Sequence, residues 1–390
     1  MEPKSIIVIM IKRAVEPKLK KLAKQYPVIT ITGPRQSGKT TLAKKCFSSH
    51  AYYSLEDLDL REFAQNDPKS FLEQSKKMII DEVQKVPSLV SYIQGVVDKE
   101  DRLGQFILTG SHQFELSNVV SQSLAGRTAI INLLPFSMNE LDEKISLSKL
   151  LYRGFYPRII DKKQNPSEAL SFYTSTYLER DLRELKEIKN LYQFESFLKL
   201  CAANVGQILN KNRFANDIGV DAKTINAWFS VLQASYIIYL LPPHFKNFRK
   251  RLVKRPKLYF YDVGLASYLL GIRKKEHVDS HPLKGSLFEN LIIIEKLKSK
   301  LNNVEEPSFY FFRDNVGNEV DLLEDHGATV SSYEIKLSKT LNSSIFKGLN
   351  FYKELNPDNK KTFVIYTGLK NESRYGHKCL SYLQFNQKSK

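Results

Sequence analysis

Cysteine is scarce in this 390-residue chain: Cys46, Cys201 and Cys379 lie far apart, are odd in number and lack metal-ligand spacing. That excludes a disulfide framework and fits a reducing compartment. Long apolar runs are missing as well. The N-terminal stretch Ile6 to Ile11 covers six residues, far short of the ~20 that a membrane-spanning helix needs. Lys12 and Arg13 follow it at once, the reverse of a signal peptide's charge order. No internal repeat or low-complexity tract occurs, and the expected location is cytoplasmic. Acidic residues are the minority, 42 against 59 lysines and arginines, for a net charge of +17. Such a surplus suits a polyanionic partner (nucleic acid first, an anionic membrane surface second) or simply a lysine-rich surface, and leaves the fold undetermined.

What is present is enough apolar material for two or three domains, 42% of the residues. Residues 12–25 have helical character. The run Pro27 to Thr32 is of strand length and stops at Gly33, and Lys39 to Phe47 reads as a helix. Two more apolar runs follow: Lys77 to Ile80, ending in Asp81-Glu82, and Gln105 to Thr109, ending in Gly110-Ser111. Short apolar strands alternating with helical patterns predict a parallel sheet, with ligands at the carboxyl ends of its strands. Helical periodicity takes over from about 170 to 240, and mixed helix and strand signals follow. The polar stretch Asp161 to Ser167 marks an expected boundary, and a second falls within 270–285.

Gly33-Pro34-Arg35-Gln36-Ser37-Gly38-Lys39-Thr40 satisfies G-x-x-x-x-G-K-[ST], with Thr41 beside it. Glycines let backbone N–H groups turn inward around phosphate oxygens, and the following helix adds its positive end. Lys39 is expected to reach the β- and γ-phosphates of ATP, and Thr40 to ligate Mg²⁺. Asp81 is expected to hold the same ion through water, and Glu82 to polarise the attacking water. Ser111 either positions the γ-phosphate or that water, or caps a helix. Arg127, in Leu124-Ala125-Gly126-Arg127, is either an arginine finger for its own or a neighbouring subunit, or an ordinary surface arginine.

The strings ITGPRQSGKTTLAK, MIIDEVQ, FILTGSHQF, SLAGR, LPFSMNEL and RGFYPR resemble the N-terminal module of a broad prokaryotic group of AAA-type ATPases. Later strings, YLERDLREL, PKLYFYDVGLASYLLGI, GSLFEN and NEVDLL with YEIK, resemble the C-terminal domain of unknown function that accompanies it. The resemblance implies an AAA-like core, Ser111 as first sensor and Arg127 as candidate finger. Residues 1–9 have no counterpart in it, so Met10 is the expected natural start.

Residues 208–232 read as a short helix, a turn at Gly219 and a second helix capped by Asp221, the helix-turn-helix pattern. Lys223, Thr224 and Asn226 lie near the start of the second helix, where base-reading side chains sit; Trp228 belongs to the core. Tyr236 to Leu241 and Leu258 to Tyr261 are expected to form the wing of a winged helix. Between them Lys246 to Lys257 carries seven cations and no acid, Arg249, Lys250, Arg251, Lys254 and Arg255 among them. This run either contacts phosphates or is a solvated hairpin.

Glu319-Val320-Asp321 and Glu334-Ile335-Lys336 resemble the D…E-x-K spacing of the restriction-endonuclease-like core, with Glu289 as a fourth member. Two converging carboxylates and an amine suit a Mg²⁺-dependent nuclease, and equally a structural salt bridge. His277, His281 and His326 show no ligand spacing. The expected architecture is α/β: a P-loop AAA-like three-layer parallel sheet (10–165), a helical and winged-helix segment (166–275) and an α/β restriction-endonuclease-like domain (276–390). The favoured function is an ATPase whose nucleotide state controls a C-terminal part that engages nucleic acid. An ATP-gated nuclease and a nucleotide-controlled protein–protein switch, with self-association, are the alternatives.

Overall fold

The computed structural model describes residues 11–100, 102–110, 123–141, 145–178, 190–244 and 253–385. Its first part is a five-stranded parallel sheet in the order β2-β3-β4-β1-β5. The strands are β1 (Val28–Thr32), β2 (Ala51–Ser54), β3 (Met78–Asp81), β4 (Phe106–Gly110) and β5 (Thr128–Asn132). β1, β3 and β4 are buried along their whole length, as near-continuous apolar strands covered on both faces must be. One face packs Leu19, Leu42 and Ala43 from helices α1 (Glu16–Leu22) and α2 (Lys39–Cys46), with Val15 just before α1. The other packs Phe71, Val90, Ile93 and Val97 from the Pro68–Glu73 and Leu89–Glu100 helices. β1, β3, β4 and α2 agree with the sequence pattern to within a residue or two, whereas helical residues 12–25 shrink to α1, started by Pro17 in its first turn.

Beyond the sheet, a single buried cluster runs from Leu134 to Tyr382. It joins the Leu191–Ala203, Lys211–Ile218 and Ala222–Ala234 helices to the antiparallel hairpin β6 (Ile238–Leu241) and β7 (Lys257–Phe260). Trp228 sits inside it, edge-on to Phe194, as its apolar helical face requires. Asp221 caps the last of these helices by accepting from the Thr224 amide at 2.6 Å.

The C-terminal sheet is mixed, in the order β12-β13-β11-β10-β9-β8. β8 (Phe309–Arg313), β9 (Glu319–Asp325) and β10 (Val330–Lys336) form an antiparallel meander. The Lys347–Leu355 helix then crosses to β11 (Asn359–Tyr366), parallel to β10, and β12 (Glu372–Arg374) and β13 (His377–Ser381) finish the sheet. Among the described residues no helix is long and apolar enough to cross a membrane.

Within the buried cluster that runs from Leu134 to Tyr382, Gly154 meets Asp262. The buried Asp262 carboxylate accepts from the Phe155 amide at 2.7 Å and caps the Val263–Leu269 helix through the Leu265 amide at 3.0 Å. Gly154 has φ +66°, and a Cβ there would lie 2.2 Å from Asp262 Oδ1. Gly154→Ala is therefore expected to destabilise the fold by about 2–4 kcal/mol, since it adds a clash to a left-handed backbone; a thermal melt beside wild type checks it.

Candidate nucleotide site and carboxylate cluster

β1 ends at Thr32, and the chain turns at Gly33, whose φ is +145°. A Cβ there would lie 2.1 Å from the Leu133 carbonyl oxygen, so only glycine fits beside the end of β5. Gln36 (φ 59°) and Gly38 (φ 91°) are left-handed, the backbone form from which an amide nest for anions is made. Lys39 opens α2, and its buried ammonium donates to the carbonyls of Gly33 at 3.0 Å and Pro34 at 2.9 Å. Burial lowers its pKa to about 8 against the upward pull of Glu82 and Asp81, with Arg35 adding to the drop.

Asp81, at the end of β3, sits in a collar of hydroxyls. Thr40 Oγ1 donates toward both its oxygens at 3.1 and 3.0 Å, Tyr52 donates at 2.8 Å, and Thr109 donates from β4. Glu82 follows with φ 57° and accepts from the Gln84 amide. A cleft of about 1090 Å³ exposes Arg35, Gln36, Gly38, Lys39, Thr40, Thr41, Asp81 and Glu82 on one side. Arg158 and Lys162, from the RGFYPR segment and the turn after it, line the other. Behind the loop, buried Arg13 donates to the Ser37 carbonyl at 2.8 Å, the Leu134 carbonyl at 2.7 Å and Glu140 at 3.0 Å. The loop is thus held from outside while its inner face stays open to the cleft.

In the C-terminal part, Asp321, Glu334, Lys336 and Glu289 do come together. Lys336 pairs with Glu334 at 2.7 Å and with Asp321 at 3.7 Å. The Asp321 carboxylate also accepts from the Ile335 amide at 2.8 Å. Lys257 from β7 completes the group, 3.0 Å from Glu289, 2.5 Å from Glu319 and 3.9 Å from Asp321. Arg313 holds Glu319 at 3.0 Å, and the Tyr259 hydroxyl donates to Glu289 at 2.6 Å. Burial, with help from Asp321, pushes the Glu334 carboxyl up to about 8 although Lys336 pulls it down. No cluster of histidine, cysteine and carboxylate side chains suited to a metal ion occurs among the described residues.

A model described as an AAA domain matches residues 25–142, one for a domain of unknown function (DUF8612) matches 144–276, and another (DUF4143) matches 284–385. The chain thus carries an AAA-type domain followed by regions that match domains of unknown function. An uncharacterized protein of Mycobacterium tuberculosis is 28% identical over 329 residues, covering 83% of this chain and 73% of its own length. One of Haemophilus influenzae is 22% identical over 304 residues, covering 69% and 74%. The Walker-type ATPase of Pyrococcus abyssi superposes with a TM-score of 0.47 at 14% identity, over 69% of this chain and 98% of that one.

The AAA-type ATPase domain is an ATP-binding unit, and its P-loop residues, Asp81 and Glu82 share one cleft. Ser111 lies outside the described residues, as do Arg249, Lys250 and Arg251. Arg127 is not brought to the AAA cleft. It forms a two-pronged pair with Asp98 at 2.5 and 2.9 Å, and its carbonyl accepts from Val28 at the amino end of β1. The P-loop is at the other end of that five-residue strand, roughly 16 Å away at about 3.3 Å per residue.

Of the residues expected to read bases, Lys223 and Asn226 are exposed, and Asn226 accepts from Lys211 at 2.7 Å. Lys254 and Arg255 are exposed too. Arg255 lines a groove of about 760 Å³ with Arg213, Arg313 and the amides Asn204, Gln207 and Asn210. Arg13, Tyr52, Thr109, Arg158, Lys257 and Tyr236 are contributors that sequence reasoning did not single out for a site.

The lowered lysine pKa carries a pH prediction. A bound triphosphate's negative charge raises the pKa of Lys39, so above pH 8 binding must take up a proton. ATP affinity is expected to hold steady below about pH 8 and to fall by up to tenfold per pH unit above it. Stability moves the other way: a folded-state pKa below the lysine's usual 10.5 costs stability fully below about 8, and that cost is relieved as pH rises from 8 toward 10.5. Calorimetric titrations at several pH values, in buffers of different ionisation enthalpy, test both the sign and the proton.

Proposed function

We propose that the AAA domain hydrolyses ATP with Mg²⁺ and that nucleotide state controls how the C-terminal part engages nucleic acid. The collar of Thr40, Tyr52 and Thr109 around Asp81 carries the reading. A hydroxyl and a carboxylate meet 3.0 Å apart beside a phosphate-binding lysine. Lys39 exchanges its two loop carbonyls for β- and γ-phosphate oxygens, and Glu82 orients and polarises the attacking water. Thr40 and Asp81 would hold Mg²⁺, which would supply neutralisation of the charge on those oxygens. Arg158 and Lys162 face the same phosphates from across the cleft. Arg127 serves a neighbouring subunit, which makes turnover dependent on self-association.

The route to the C-terminal part is short. The Tyr236 hydroxyl lies 3.5 Å from Thr32, the residue before the P-loop, and donates to Asn132 at 3.0 Å. Tyr236 leads directly into β6. Residues 10–165 in this reading are the motor, 166–275 the winged-helix segment and 276–390 the restriction-endonuclease-like domain. The order of helix, three strands, helix and parallel strand in the last part supports that name. The exposed Lys254 and Arg255, with the arginine-lined groove beside them, supply phosphate contacts.

ATP turnover is to be measured with duplex DNA, with single-stranded RNA and with neither, at two ionic strengths. Stimulation and salt-sensitive binding are expected, and Lys254→Ala with Arg255→Ala should lower the salt slope by about 2. Absence of both stimulation and salt-sensitive binding contradicts the nucleic-acid half of the proposal and leaves the ATPase half standing.

A further inference from the structure

Three carboxylates of the C-terminal part gather around one point, and that point is not open space. Glu319 and Asp321 project from the same face of β9, two residues apart, and Glu289 reaches them from the Lys284–Asn302 helix. Lys257 occupies the centre, within 3.0, 2.5 and 3.9 Å of these three acids, its side chain only 3% exposed. It does not reach in from a mobile surface. Lys257 is the first residue of β7, its register fixed opposite Leu241, and its backbone bridges to Ile208. Tyr259, two residues along the strand, binds the same Glu289. Lys336 meanwhile takes Glu334 and Asp321, and Arg313 takes Glu319. Each of the four acids therefore has a cationic partner supplied by the chain itself.

We infer that the Lys257 ammonium stands where a divalent cation would sit in this cluster, so that the site is closed by a chain-borne cation and is not a metal centre. A divalent ion needs several oxygens at its own centre and cannot share that point with an ammonium of like sign. Lysine supplies one charge with three directed donors, and three carboxylates lie within reach of them. The domain keeps the residues of a nuclease-like site and uses them to lock β7 onto β9 and the Lys284–Asn302 helix. Its role is then binding without cleavage. The inference stands independently of the ATPase reading.

Manganese is the probe, used with nucleotide-free full-length protein, and bound Mn²⁺ is counted by the loss of the free-ion electron paramagnetic resonance signal. Wild type and Asp321→Asn should bind the same amount, because ions held near the P-loop are common to both. Lys257→Met, and Lys257→Gln as a second variant, should each gain one Mn²⁺ per chain. That gain should vanish when Asp321→Asn is added, and Mn²⁺ should raise the melting midpoint of the Lys257 variants but not of wild type. Mn²⁺ binding by wild type that Asp321→Asn abolishes overturns the inference, as does a folded Lys257 variant with no gain. Should neither variant fold, the comparison of wild type with Asp321→Asn decides the matter alone.

Discussion

Lys39→Ala is expected to lower ATP turnover by about 100- to 1000-fold, the scale on which a charge aimed at a developing anion contributes in a water-poor site. Lys39 is the buried ammonium of the loop and is bonded to the Gly33 and Pro34 carbonyls. Alanine leaves the Gly33 and Pro34 carbonyls without their donor, but it also removes a charge whose burial is unfavourable enough to bring its pKa to about 8. The variant should therefore fold as well as wild type at neutral pH. A steady-state phosphate-release assay beside a thermal melt separates the two effects. Lost turnover together with a lost fold would mean that the lysine matters as a strut rather than as a phosphate ligand.

Glu82→Gln should show the opposite division. Turnover is expected to fall by about 100-fold or more while ATP affinity changes by no more than a few-fold, because an amide keeps the shape and loses the base. Glu82 sits in a left-handed conformation immediately after Asp81, a backbone arrangement that costs of order 1 kcal/mol and is stored where it serves a site. The substitution leaves that backbone and the Asp81 collar in place. Single-turnover measurements with radiolabelled ATP distinguish slow chemistry from weak binding. Equal loss of affinity and turnover would assign Glu82 to nucleotide binding instead.

The centre of the AAA domain was legible because its signals are local. β1, β3 and β4 are buried on both faces and read as apolar runs, and the P-loop fits between a strand and a helix only one way. The edge strands were not legible. β2 is the half-buried Ala51–Ser54, and β5 places Ile130 at the surface, 39% exposed. Neither presents a run or an alternation that stands out from a loop. Strand order was out of reach as well, since it depends on which helices cover which face.

Site residues that act across long sequence separations were hidden for a related reason. Arg13 acts on Ser37, Leu134 and Glu140; Tyr52 and Thr109 act on Asp81. None of these sits in a pattern of its own. Thr109 stands two positions before Ser111, on the buried strand rather than after it. Lys257 is the instructive case. Its neighbours Lys254 and Arg255 are exposed cations, and composition alone placed it with them in a run read as phosphate contacts or a solvated hairpin. Its position as the first residue of the wholly buried strand Lys257–Phe260 is the sign that it points inward. The shared face of Glu334 and Lys336 was legible from period-two alternation, whereas the cation among Glu289, Glu319 and Asp321 was not.

Isothermal titration of the nucleotide-free protein with ATP, run with Mg²⁺ and again with excess chelator, probes the loop and its carboxylate together. The account predicts one site per chain, with affinity that weakens at least tenfold without the metal and at least tenfold in Lys39→Ala. Heat that is absent under both conditions, or that Lys39→Ala leaves unchanged, would show that the ring of residues from Gly33 to Thr41 grips something other than a triphosphate.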